Sequence, residues 1–359
     1  MAKNIKIVTV VGARPQFVKA AVLSRLIKNE DSIVEILVHT GQHFDASMSD
    51  VFFGEMEIPK PKYNLEVSNL SHGAMTGRML EKIEEILQIE KPDILLVYGD
   101  TNSTLAGALA AQKMHIPLAH VEAGLRSFDM HMPEEVNRII TDRLASVLFV
   151  PTYNGIKNLQ KEGYDDFDCK IILSGDIMQD AALYYAERSG EKAKLPANIP
   201  ESFILCTLHR AENTDDKERL KNIVDSLNEI NKEIPIVLPL HPRTKKMLQS
   251  FGLKLDVHLL DPVGYFEMIE LLKKCSLVMT DSGGLQKEAY FFKKPCITLR
   301  DQTEWTELVT NGFNKIVGAN KNQIISGYRE MLDASPDYSK ELYGGGMAGE
   351  KILDYLKKL

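Results

Sequence analysis

Residues 5–19, Ile-Lys-Ile-Val-Thr-Val-Val-Gly-Ala-Arg-Pro-Gln-Phe-Val-Lys, join a β-branched apolar run to a glycine turn and a helix start. The run 5–12 is Val/Ile-rich rather than alternating, which predicts a strand buried on both faces. Gly12 permits a tight turn, and the following helix offers free N–H groups and the positive end of its dipole. Arg14 and Lys19 add positive charge, which suits a pyrophosphate; the plainer reading is a helix start with a solvated Arg and Lys. The pattern is neither GxGxxG nor a Walker loop, so nicotinamide and ATP readings lose support.

The same strand–turn–helix unit recurs along the chain. Further strands are expected at 34–40, 93–99, 117–124, 146–152 and 170–175, then at 203–209, 235–241, 257–262, 277–282, 295–300 and 315–318. Helical patterns lie between most of them, for example at 77–87, 218–230 and 265–274. Strands alternating with helices predict an α/β fold with doubly wound parallel sheets. About twelve strands exceed one comfortable open sheet. A helix-like stretch at 177–188 runs into a Lys/Pro-rich loop at 191–200, and the chain divides most naturally there. The expected organisation is an N-terminal Rossmann-like domain (1–176), a second one (177–345) and a last helix (346–359) that returns to the first.

The chain has 359 residues and a formal net charge of −7, which argues against a nucleic-acid backbone as main partner while leaving room for a local phosphate site. Cys169, Cys206, Cys275 and Cys296 form no CxxC pair and sit in or beside apolar runs, so they read as reduced core thiols. The first apolar run reads as a strand rather than a signal peptide, and no stretch approaches the roughly 20 residues of a membrane span. The expectation is a cytoplasmic protein without a membrane partner.

In open parallel sheets, ligands gather at the carboxyl ends of strands, and the polar motifs fall there. Thr40-Gly41-Gln42-His43 is a turn or a polar contact. In Tyr98-Gly99-Asp100-Thr101, Asp100 is either a helix N-cap or a carboxylate beside a substrate. In His120-Val121-Glu122-Ala123-Gly124-Leu125-Arg126, Glu122 either pairs with Arg126 or acts as a tuned acid or base. Met132-Pro133-Glu134-Glu135 opens a helix; Glu134 complements its dipole or faces a cleft with Glu122 and Asp100. Three converging carboxylates would push one another's pKa values apart, as acid–base catalysis requires. His209-Arg210 and His241-Pro242-Arg243 are anion contacts or structural residues, and their spacing does not fit zinc. Thr280-Asp281-Ser282-Gly283-Gly284 runs into a helix. Gly283 and Gly284 let the backbone approach a diphosphate, Ser282 donates to it, and Glu288 can accept from both ribose hydroxyls. Phe266 flanks a uracil or belongs to the core.

Taken together, these motifs resemble the UDP-N-acetylglucosamine 2-epimerase family across nearly the whole chain, from Gly12 to Glu307. The resemblance implies a GT-B-type architecture, with two Rossmann-like domains facing a central cleft. It implies a homodimer, no metal and no redox cofactor. By resemblance, Arg14, Gln42, His209, Ser282, Gly284 and Glu288 contact UDP. Asp100, Glu122 and Glu134 are then the acid–base carboxylates, and Lys19 and His209 support the leaving diphosphate. The implied reaction is loss of the C2 proton with UDP, then re-addition from the opposite face. The forms Gly12-Ala13-Arg14-Pro15-Gln16-Phe17, His209-Arg210-Ala211-Glu212-Asn213 and Arg300-Asp301-Gln302-Thr303-Glu304-Trp305 depart from the commoner motifs. They resemble the subgroup acting on UDP-2,3-diacetamido-2,3-dideoxy-glucuronic acid in polysaccharide, lipopolysaccharide or glycan assembly. Lys19, Arg126 and Arg138 are the candidates for its C6 carboxylate. UDP-N-acetylglucosamine is the alternative substrate; a hydrolysing relative or a GT-B glycosyltransferase are further alternatives.

Overall fold

The structure is a computed structural model that describes residues 4–42, 53–54 and 57–359; His43 lies outside the described residues. The chain divides into two compact units. Unit 1 comprises Met1–Ala181 with Leu342–Leu359, and unit 2 comprises Ala182–Glu341. The division falls within the helix Ile177–Lys192, whose first residue opens the second domain in the sequence reading.

Unit 1 contains strands β1 (Ile5–Val11), β2 (Ile33–His39), β3 (Tyr63–Asn64), β4 (Ile94–Tyr98), β5 (Leu118–Val121), β6 (Val147–Val150) and β7 (Lys170–Leu173). They form one sheet in the order β3-β2-β1-β4-β5-β6-β7, every pair parallel. Unit 2 contains β8 (Ile204–Thr207), β9 (Ile236–Pro239), β10 (His258–Leu260), β11 (Leu277–Thr280), β12 (Cys296–Thr298) and β13 (Asn314–Ile316). Their order is β10-β9-β8-β11-β12-β13, again all parallel. Both sheets are of the doubly wound Rossmann type.

All twelve expected strands are present. β3 was not foreseen, because two residues carry no hydrophobic run to read. The central strands are buried throughout, as in Ile94–Tyr98, which explains their continuous apolar sequences. One core layer in unit 1 combines Val8, Val10, Val38, Leu95 and Val97 with Met79 and Ile83 of the helix His72–Glu90. In unit 2, Leu220, Ile223 and Leu227 of the helix Lys217–Ile230 close one face, and Leu271 and Leu272 of the helix Tyr265–Lys274 close the other.

The last helix, Ala348–Leu356, belongs to unit 1 and packs on the helix Arg14–Ile27. Asp180 receives the N–H groups of Ala348 and Gly349 at 3.2 and 2.7 Å, fastening the start of that helix. All four cysteines are free thiols, with Cys169 half-buried and the others buried. No helix among the described residues is long and apolar enough to cross a membrane.

Candidate active site

Each sheet reverses its strand order once, at β1/β4 in unit 1 and at β8/β11 in unit 2. Such switch points open a crevice at the carboxyl ends of the strands. They bring Gly12 beside Gly99 and Asp100 in one unit, and His209 beside Asp281 and Ser282 in the other.

In unit 1 the loop after β1 is closed from within. A Cβ on Gly12 would stand 2.0 Å from Thr40 Oγ1 and 2.1 Å from Ser103 Oγ, so only glycine fits. The helix Arg14–Ile27 begins at Ala13, which has no capping side chain. Gln16 takes that role: its Oε1 accepts from the N–H groups of Gly12 and Ala13 at 2.8 and 3.0 Å. Its Nε2 donates to the Tyr98 carbonyl at 2.8 Å and to Thr104 at 2.9 Å, tying the β1 loop to the β4 loop. Arg14 is half-buried at the first position of the helix. Gln42 Oε1 accepts from the N–H and hydroxyl of Ser103 at 3.1 and 2.7 Å.

Asp100 is not the helix cap. Thr101 fills that position, its hydroxyl accepting from the Thr104 N–H at 3.3 Å. Asp100 is left to pair with Arg138, whose Nη2 lies 2.5 Å from Oδ2. Arg138 also pairs with Glu135, and Glu135 accepts from the N–H groups of Ser127 and Phe128 at 2.9 Å each. Burial works to raise the Glu135 carboxyl, but these N–H groups and the charge of Arg138 bring it below its ordinary value.

Glu122 has φ +73°, a left-handed backbone that a Glu rarely adopts. Its N–H and that of Ala123 both converge on the Phe149 carbonyl, at 3.1 and 3.0 Å, so the strand ends in a bulge. The carboxylate forms an ion pair with Lys19, and both side chains are largely buried. Lys19 Nζ and Glu122 Oε2 each lie 3.4 Å from where a Cβ on Gly99 would stand, so the pair sits over the residue preceding Asp100. Glu134 is exposed in the first turn of the helix Pro133–Leu144. In place of three carboxylates set against one another, two are matched with cations.

Arg126 corrects two expectations. It forms a bidentate pair with Glu162 at 2.7 and 2.8 Å and reaches Asp142 at 2.7 Å. At 4% exposure it is committed within the fold, and it is no candidate for a ligand carboxylate. Arg138 is likewise held between Asp100 and Glu135.

In unit 2 the organising group is Asp281, fully buried at the end of β11. Its carboxylate accepts from the N–H groups of His209 and Arg210 at 3.0 and 2.9 Å and faces His209 Nδ1 at 3.1 Å. Burial alone would raise its carboxyl, but these donors outweigh burial and hold it below the ordinary value. The His209 side chain stays 41% exposed at the strand end. His241 lies beside it, ring centroids 5.9 Å apart, and its Nδ1 accepts from the Arg243 N–H at 3.2 Å. Burial, then the neighbouring His209 and Arg243, push the His241 imidazole down.

Ser282 caps the helix Gly283–Phe291, its hydroxyl accepting from the Leu285 N–H at 3.5 Å. Around Gly284 a Cβ would meet nothing within 4 Å, whereas at Gly283 it would meet Glu304 Oε1 at 2.6 Å. Trp305 Nε1 donates to the Gly283 carbonyl at 2.9 Å and braces this turn from behind. Glu288 is half-buried one turn further along the helix. Phe266 does not match the reading of a ring offered to a base. It is 3% exposed and packs edge-on against Tyr185, centroids 5.7 Å apart, so its ring serves the core.

Three groups that shape the site carried no assigned role in the sequence reading: Gln16, Asp142 and Asp281. Asp281 stood inside a recognised motif, and its position directly before a capping Ser was the available signal. Gln16 stood in the glycine loop. Asp142 had no signal, since a carboxylate within a helix reads as a solvated face.

The sequence model of the UDP-N-acetylglucosamine 2-epimerase family matches residues 25–357. The chain belongs to that family. Its members are UDP-sugar 2-epimerases, which are isomerases. The chain is 56% identical to the UDP-2,3-diacetamido-2,3-dideoxy-D-glucuronate 2-epimerase of Pseudomonas aeruginosa, over 99% of this chain and 100% of that one. It is 42% identical to the Methanocaldococcus jannaschii UDP-GlcNAc 2-epimerase solved with UDP-GlcNAc and UDP, with a TM-score of 0.86 over 99% of this chain and 100% of that one. The Neisseria meningitidis UDP-GlcNAc 2-epimerase bound to UDP-GlcNAc is 32% identical, with a TM-score of 0.88 over the same shares. The family match reaches into both units and begins after β1 and its glycine loop.

Proposed function

We propose that this chain is a non-hydrolysing 2-epimerase that converts UDP-2,3-diacetamido-2,3-dideoxy-glucuronic acid to its manno isomer. The observation that carries the substrate is the full-length 56% identity to an enzyme of that name. Unit 2 supplies groups suited to the nucleotide. Ser282, Gly283 and Gly284 present a helix N-terminus to the diphosphate, Glu288 meets the ribose, and His209, steadied by Asp281, meets the diphosphate with His241 beside it. Unit 1 supplies the chemistry through Asp100, Glu122 and Glu134, with Arg14, Lys19 and Gln42 toward the UDP-sugar.

One carboxylate takes the proton from C2 while the C1–O bond breaks and its electron pair leaves with UDP. A C1–C2 double bond remains. A second group then delivers a proton to the opposite face of C2 as a UDP oxygen re-forms the bond at C1, so atoms and charge balance and nothing is oxidised. The cations and helix dipole stabilise the leaving diphosphate, and the fixed carboxylates move the proton. The setting is the cytoplasm, with a homodimer as the working form and polysaccharide or glycan assembly as the destination.

A second reading, UDP-N-acetylglucosamine as substrate, is favoured by the 42% identity to the M. jannaschii enzyme. Incubation with each sugar nucleotide in deuterium oxide, followed by proton NMR, separates the two. Deuterium at C2 of a manno product from the diacetamido-uronate, faster than from UDP-N-acetylglucosamine, is the expected result. The reverse order transfers the assignment to the second reading, and exchange with neither sinks both.

A further inference from the structure

Asp142 lies near the end of the helix Pro133–Leu144, eight residues after Glu134, and is fully buried. Its Oδ1 faces His120 Nδ1 at 2.7 Å. Its Oδ2 accepts from the Gly124 N–H at 3.0 Å and from Arg126 Nη1 at 2.7 Å. The other nitrogen of the buried His120 ring, Nε2, donates to the Gly99 carbonyl at 2.7 Å. Gly99 immediately precedes Asp100, and Gly124 follows Glu122 by two residues. One carboxylate therefore reaches both acid–base loops, the nearer directly and the farther through one imidazole.

These loops need outside support. Gly99 and Gly124, at φ +60° and +77°, adopt this backbone freely, but Glu122, at +73°, does not, and strained backbone of its kind persists only where its surroundings fix it. Gly124 is also pressed against the first turn of the helix Tyr153–Lys161, its Cβ position 2.8 Å from the Gly155 carbonyl. Burial would raise the Asp142 carboxyl, but the bond to His120 and the charge of Arg126 hold it below its ordinary value, so it is present as a charged acceptor.

We propose that Asp142 is a positioning residue that sets the Gly99-Asp100 and Glu122–Gly124 loops relative to each other, so that its loss slows proton transfer at C2 without weakening UDP-sugar binding. Two loops that must remove and deliver a proton on opposite faces of one carbon depend on their mutual setting more than on either alone. The proposal rests on the epimerase reading and on Asp100 and Glu122 as the acid–base pair.

Asp142→Asn is the first test. The amide either turns its NH2 group against the Gly124 and Arg126 donors or turns it toward a neutral His120 Nδ1, and in both orientations the charge that pairs with Arg126 is lost. We expect kcat to fall by about thirtyfold, with KM and the dissociation constant for UDP within about twofold. Amide hydrogen exchange should quicken in both loops. His120→Asn retains a donor toward Asp142 but loses the reach to Gly99, so exchange should quicken at residues 99–100 and not at 122–124. Glu162→Gln loosens the outer side of Arg126 and leaves the bonds of Asp142 to both loops; its kcat should stay within about twofold. A folded Asp142→Asn protein with unchanged kcat overturns the proposal. So does a KM that rises in step with the loss of kcat, or wild-type exchange in both loops. If Asp142→Asn does not fold, the segment-selective exchange of His120→Asn decides. A wild-type protein inactive on both sugars refutes the epimerase reading, while the exchange patterns still report whether Asp142 and His120 hold the loops.

Discussion

The carboxyl ends of the two sheets share a strand order and little else. In unit 1 the loops are fastened chiefly by paired side chains, Arg138 between Asp100 and Glu135, Lys19 against Glu122, Asp142 against His120 and Arg126, with Gln16, Glu135 and Asp142 also holding backbone N–H groups. In unit 2 a single carboxylate, Asp281, holds the backbone N–H groups of His209 and Arg210, and the helix after Ser282 begins at glycines. The difference fits the roles proposed for the two ends. Proton transfer needs carboxylates fixed to within a fraction of an ångström. A diphosphate needs N–H groups and the absence of a Cβ, and Gly284 has open space where that Cβ would be.

The largest break in this contrast should come from Glu122→Gln. The amide keeps the shape and loses the ability to exchange a proton, so kcat should fall by about a thousandfold, within the range of a lost general acid or base. UDP affinity, which the proposed reading assigns mainly to unit 2, should move little. Titration calorimetry with UDP beside steady-state kinetics checks both, and a parallel loss of affinity would show that the two ends do not divide the work in this way. Next comes Gly12→Ala, which forces a methyl group to within 2.0 Å of Thr40 Oγ1 and 2.1 Å of Ser103 Oγ. The overpacked loop should destabilise unit 1 by about 3 kcal/mol, visible as a lowered Tm. The third is Asp281→Asn in unit 2. Losing a charged acceptor for two N–H groups should weaken UDP binding by about thirtyfold, near 2 kcal/mol, while kcat at saturating substrate changes little. Lost kcat with intact UDP affinity would place Asp281 with the chemistry instead.

How much of this was legible follows the same contrast. The strands were readable because both faces are buried and their apolar runs are continuous. The Asp-Ser-Gly-Gly turn was readable because backbone-based binding leaves a local signature of glycines and a capping serine. Unit 1 was less transparent. Asp100 could be named, but not its partner Arg138, 38 residues along the chain. Glu122 was weighed against Arg126, four residues away, while its actual partner is Lys19, 103 residues earlier. Asp142 reaches His120 across 22 residues and was not marked at all. Pairings across the sheet are set by strand order, which residue types alone do not specify. Phe266 was misjudged for a related reason, since an aromatic residue at a helix start has the same sequence whether it faces a ligand or Tyr185.

The smallest effect concerns a carboxylate that unit 1 uses for its own closure. Asp180 holds the N–H groups of Ala348 and Gly349, and burial, the largest influence on it, pushes its carboxyl up to about 6 despite those bonds. An unfolded Asp titrates near ~4. The folded protein therefore binds this proton more tightly than the unfolded chain does. The sign of the linkage is fixed by that order: stability from this group is greatest below about pH 4, falls as pH rises through about 6, and is level above it, a change on the order of 1 kcal/mol after relaxation of the site. Asp180→Asn keeps an amide oxygen for the Gly349 N–H and has no proton to lose. Its melting temperature should match that of the wild type near pH 4.5, relative to other groups, and exceed it near pH 7. A difference that is constant across this range would mean that Asp180 stays charged in the folded protein. The start of the last helix would then be held by a full ion–dipole contact, as the helix after Ser282 would hold a diphosphate.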